Sequence, residues 1–183
     1  MAKEPKILGF DEFADELQAE RNPRSLIILA SAKTDTQLRA ILDKFLGSKV
    51  AKANDQDELL DGDAPLSTYS SRIKICQRLG LIDESLAKIL EKLRGIRNQA
   101  AHWISFAPAD SPVRDQFVLL RSAIEKRSSY RLTVDRFWDR QPIQDEPHRM
   151  QAVLLTVCVL LESVSTKVER FRGVPEFISA TAD

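Results

Sequence analysis

The run Arg97-Asn98-Gln99-Ala100-Ala101-His102 holds the residue types and spacing best suited to chemistry in this chain. A guanidinium holds a phosphate, an amide orients a ligand, and an imidazole with an ordinary pKa of about 6.5 exchanges protons near neutral pH. A cleft built from them would use Arg97 on the phosphate, Asn98 to orient and His102 as general base or acid. One helix must carry all three, because Leu86, Ile89, Leu90, Leu93, Ile96, Ala100 and Ile104 recur at helical spacing as an apolar stripe. At about 100° per residue, Arg97 falls inside that stripe, while Asn98 and His102 share the opposite side. A buried guanidinium cannot discharge, so it needs a carboxylate, backbone carbonyls or a phosphate, and Glu162 is the expected internal partner. On this reading, replacing Arg97 mainly harms folding. Arg97 and His102 point about 140° apart on an ideal helix. Joint action then asks for a long arginine reach, a distorted helix end or two protomers face to face, the last of which makes a homodimer.

Other chemistries find little support. His102 and His148 are the only histidines, neither has a second ligand three or four residues away, and no thiol cluster exists, so no metal is expected. No glycine-rich phosphate loop or nucleophile elbow is visible, and no cofactor is expected. Acidic residues crowd 55 to 63, but an EF-hand register starting at Asp55 places Leu59 and Leu60 at its fifth and sixth positions; a solvated loop is expected instead. Arg72 to Glu91 has the outline of a helix-turn-helix, with Gly80 at the turn. Its second helix, however, opens on Asp83 and Glu84, which phosphates repel.

The elements that position these residues are helical. Phe10, Phe13, Ala14 and Leu17 form a short amphipathic helix that stops before Pro23. A second runs from about Arg24 to Gly47, with Thr34-Asp35-Thr36 as a point where it could break. Pro65 is expected to open a third, with Tyr69, Ile73, Cys76 and Leu79 on one face and Gly80 at its end. Asp83 caps the long helix that carries the run, which reaches about Phe106 and stops at Pro108. Ser111-Pro112 starts a helix with Phe117, Leu120 and Ile124. Tyr130 to Val134 is the one stretch that could be extended. After Pro142 and Pro147 comes an apolar final helix ending near Gly173. The expectation is an all-α, single-domain bundle of about six helices over residues 10–172, with flexible ends at 1–9 and 173–183.

Composition agrees with an ordinary globular chain. It has 183 residues, 43% hydrophobic and 30% charged, enough for a core without staples. Lys plus Arg and Asp plus Glu number 27 each, so no global field draws it to nucleic acid. A local basic strip could come from Arg121, Lys126, Arg127, Arg131, Arg136 and Arg140, although such strips are more often solvated faces. Cys76 and Cys158 stand alone in apolar surroundings, which favours reduced core thiols and a cytoplasmic location. The apolar run Met150 to Leu161 is too short for a bilayer of about 30 Å, so no membrane partner is expected.

Three stretches together resemble the bacterial mannitol operon repressor family: Ala64-Pro65-Leu66-Ser67-Thr68-Tyr69-Ser70-Ser71-Arg72-Ile73 with Leu79-Gly80-Leu81-Ile82, Ile96-Arg97-Asn98 with Ala101-His102, and the apolar last helix. The second block is also similar to the R-x4-H signature of the HEPN group of helical proteins. The first resemblance implies a helical regulator of transcription without its own DNA-reading module, which meets DNA only indirectly, through a protein partner. The second implies the alternative of a metal-independent, toxin-like endoribonuclease. There His102 would activate a ribose 2′-hydroxyl and Arg97 would stabilise phosphate charge at a dimer interface, with Asn98 between them and RNA as substrate.

Overall fold

A computed structural model of the chain describes residues 9–47, 56–102, 113–139, 143 and 145–171, and these form seven helices with no strand among them. Helix α1 is Phe10–Ala19, and it buries Phe13, Ala14 and Leu17 as its spacing predicts.

Helix α2, Pro23–Leu46, starts where Asn22 accepts the Arg24 and Ser25 N–H groups at 2.9 and 3.3 Å, with Pro23 in the first turn where a missing N–H costs nothing. It runs unbroken through Thr34-Asp35-Thr36. The Thr34 and Thr36 hydroxyls donate back to the Ala30 and Ala32 carbonyls at 3.0 and 2.9 Å, so these side chains are satisfied without leaving the helix.

Helix α3 is Tyr69–Arg78, starting later than Pro65 because Thr68 is the cap: its hydroxyl accepts the Ser71 N–H at 3.1 Å. Gly80, at φ 71°, closes α3 in a Schellman arrangement, with Gly80 N–H on Gln77 O at 3.0 Å and Leu81 N–H on Cys76 O at 2.9 Å. Helix α4, Glu84–His102, begins as expected at Asp83, whose carboxylate accepts the Leu86 N–H at 2.6 Å. Its expected extension to Phe106, the Pro108 stop and the Ser111-Pro112 start lie outside the described residues, as do Asp55 and most of both chain ends.

Helices α5, Val113–Glu125, and α6, Ser128–Phe137, follow. The stretch Tyr130 to Val134, the one that could have been extended, is therefore helical. Its aromatic and β-branched residues favour strands only weakly, and packing of α6 on the last helix decides the outcome. Buried Thr133 satisfies its hydroxyl within the helix, on Ser129 O at 2.8 Å. The count of seven exceeds the expected six by this element.

Helix α7, Glu146–Lys167, opens at Asp145, which accepts the His148 N–H at 2.8 Å, and contains Pro147 in its first turn rather than following it. It ends at Lys167, short of Gly173. By length and composition it could cross a membrane. In the fold it is the central element: every residue from Met150 to Cys158 is buried, and it packs on α1, α2, α5 and α6. Buried Gln151 donates to the Gln18 and Glu20 carbonyls at 2.8 and 2.7 Å, which pins the open end of α1 to the core. Helix α2 packs in turn on α3 and α4, and α4 on α5.

The acidic loop is more than a solvated connection. Leu60 is 1% exposed in the core, and Asp61 takes Arg39 Nε and Nη2 at 2.9 and 2.8 Å, a two-pronged ion pair that fastens the loop to α2.

Candidate functional site

Arg97 is exposed, which corrects its placement in the core stripe. Its neighbours Ile96 and Ala100 are buried; Arg97 sits at the stripe's edge and swings its long side chain out, where Nη1 donates to Asn98 Oδ1 at 3.2 Å. Glu162, its expected partner, is taken by Gln37, whose Nε2 donates to Glu162 Oε2 at 2.9 Å and to Cys158 O at 3.0 Å.

Among the described residues the buried arginine is Arg72, which the sequence did not mark as a core residue. It is 7% exposed, and it has the partners such a group demands. Nε donates to Leu66 O at 2.9 Å, Nη1 to Asp35 Oδ1 at 2.7 Å and Nη2 to Leu60 O at 2.8 Å. A signal was present: Arg72 and Cys76 lie four apart, on the buried side of α3.

A cavity of about 370 Å³ opens beside this group. Helix α2 supplies Ile28, Ser31, Ala32 and Asp35, the start of α3 supplies Thr68, Tyr69 and Ser70, and α4 supplies Arg94, Arg97 and Asn98. Arg94 donates its Nε to Glu91 Oε2 at 2.8 Å. The Tyr69 hydroxyl shares a hydrogen bond of 2.8 Å with Thr34 Oγ1, and burial pushes its pKa well above the ordinary phenol value. The structure thus brings together Arg97 and Asn98 from the sequence run. His102 is exposed near the end of α4 and does not line the cavity.

The helix-turn-helix outline is filled by structural roles. Asp83 caps α4, Glu84 pairs with Lys88 at 2.6 Å, and Gly80 ends α3, so the end of α4 that would approach DNA is negative. Two members of the basic strip are paired with carboxylates, and Arg140 lies outside the described residues. Arg121 pairs with Glu146 at 3.4 Å and Arg136 with Asp11 at 2.7 Å, Arg127 bonds Ser85, and Lys126 and Arg131 stand exposed.

No family model matches the chain, and no curated protein matches it. Among solved structures, the chain is similar to one from the X-ray structure of the MtlR-HPr complex of Escherichia coli. The TM-score is 0.57 at 20% identity, and the match covers 85% of this chain and 98% of that one. This all-helical, mannitol-repressor-like fold is therefore shared over nearly the whole of the solved chain.

Proposed function

We propose that this chain is a mannitol-repressor-like regulator of transcription that acts in the cytoplasm as a helical protein-interaction module and meets DNA only through its partner. The observation that carries this reading is the shared fold with a chain from the complex of MtlR with HPr. The negative start of α4, where a reading helix would need donors, supports it. HPr is the first partner to test. Calorimetric titration of the purified chain with HPr should show one-to-one binding, while DNA from its own promoter region should bind weakly or not at all. Tight, sequence-specific DNA binding by the isolated chain overturns the reading.

The exposure of Arg97 favours one second reading, the HEPN-type endoribonuclease. An exposed guanidinium and an exposed His102 on one helix end can face their copies across a homodimer, which satisfies their divergence on the helix. Structured RNA incubated with chelator decides it. Cleavage by the wild type that His102→Ala abolishes supports this reading, and absence of cleavage by both removes it.

A further inference from the structure

We propose that His148 is a pH-sensitive clasp: in its neutral form it ties the connection between α1 and α2 to the start of α7 through Arg21, and protonation releases that tie. This goes beyond the interaction reading and does not depend on it.

The hydrogen bonds fix which ring nitrogen carries the proton. Arg21 Nη1 lies 2.8 Å from His148 Nε2, and a guanidinium can only donate, so Nε2 accepts. On the other side of the ring, Nδ1 lies 2.7 Å from Asp145 Oδ2. Asp145 is held below the ordinary carboxylate range, first by the His148 N–H, so it is ionised and accepts the Nδ1 proton. Both contacts together are open only to the neutral ring with its proton on Nδ1, the reverse of the form that free histidine favours in water.

Protonation acts on the two contacts unequally. An imidazolium still donates from Nδ1 to Asp145, so the capped start of α7 is kept. At Nε2 the lone pair that Arg21 uses is gone, and two N–H groups of like charge then face each other. An ordinary imidazole changes charge at about pH 6.5, within reach of mild acid.

The surrounding groups confine the effect. Arg21, Arg121 of α5 and Arg149 of α7 stay charged at any pH the fold survives. Glu146 pairs with Arg149 at 2.8 Å and with Arg121 at 3.4 Å, and Glu125 of α5 lies 3.7 Å from Arg149. Glu20, beside Arg21, is held below the ordinary carboxylate range, first by the Asn22 N–H, and burial raises the Tyr130 phenol of α6. Gln151 holds the Gln18 and Glu20 carbonyls whatever the charge on the ring. Release therefore frees the Arg21 side chain and the backbone beside it while α1 stays docked.

Nuclear magnetic resonance of the whole chain between pH 8 and pH 5.5 tests the proposal, with His148→Gln distinguishing the His148 signals from those of His102. At pH 8 the His148 ring should carry its proton on Nδ1, and its ring protons should show a nuclear Overhauser contact with the Arg21 methylenes. At pH 5.5 that contact should be lost with helix content unchanged, and the Arg21 and Asn22 amides should shift with the same midpoint as the ring. His148→Gln offers a neutral acceptor at every pH and should reduce the amide shift about fivefold or more. A ring protonated on Nε2 at pH 8, an Arg21 contact that survives at pH 5.5, amide shifts of wild-type size in His148→Gln, or loss of helix at pH 5.5 each overturns the proposal.

Discussion

Arg72 Nη1 lies 2.7 Å from Asp35 Oδ1, and this ion pair joins α3 to α2 in a position where the arginine is almost wholly removed from water. The same guanidinium holds the Leu60 and Leu66 carbonyls, so one side chain fastens the 56–68 loop, α3 and α2 together. Arg72→Met leaves two buried carbonyls and a carboxylate without their donor. It should lower stability by about 3–5 kcal/mol in urea unfolding.

Arg97→Ala gives the opposite result. Its side chain is exposed and bonded only to the adjacent Asn98, so unfolding free energy should change by no more than about 0.5 kcal/mol. A loss as large as that of Arg72→Met would restore Arg97 to the core.

The two cysteines are buried, and burial pushes both thiols up to about 12. At pH 8 neither forms thiolate in the native state, so a thiol-reactive chromophore should label neither until denaturant is added. The folded pKa values stand above the ordinary 9.0. Their contribution to stability is therefore whole below 9 and declines as pH rises toward 12, which alkaline urea titrations will register.

Asp61 is held below the ordinary carboxylate range, first by its hydrogen bond from Arg39 and then by the Asp57 N–H. A lowered folded pKa means stability that is present above the ordinary carboxylate range and lost as pH falls through the folded value. Both partners are partly exposed, so Asp61→Asn should cost only about 1 kcal/mol at neutral pH, with the difference from wild type shrinking in acid.

Gly80 has a φ of 71°, and a side chain added there meets nothing within 4 Å. The cost of Gly80→Ala is therefore backbone strain alone, about 1–2 kcal/mol, and Gly80→Asn should cost less because asparagine tolerates this conformation. Thermal unfolding of the two variants checks the order.

Helix α6 and Arg97 show why local pattern falls short in this chain. The residues from Tyr130 to Val134 carry mixed propensities that a strand or a helix can use, and only the α7 surface beneath them makes the helix the better-packed choice. Arg97 lies on the margin of an apolar stripe, where a few tens of degrees and a flexible side chain separate core from solvent. The legible half of the candidate site was the Arg97–Asn98 pair. Ser31, Ser70 and Arg94 are ordinary surface types in sequence and gained meaning only when three helices met around them.

The sequence by itself determined the all-helical class, the caps at Asp83 and Gly80, the burial of both cysteines and the place of Met150 to Leu161 as a core helix, because periodicity and capping act over one or two turns of chain. Tertiary structure alone decided which arginine is buried, what satisfies Glu162, and that Ser31 and Arg97 share a cavity. Those outcomes depend on pairings such as Asp35 with Arg72 and Gln37 with Glu162, whose partners are far apart along the chain and meet only when the helices pack.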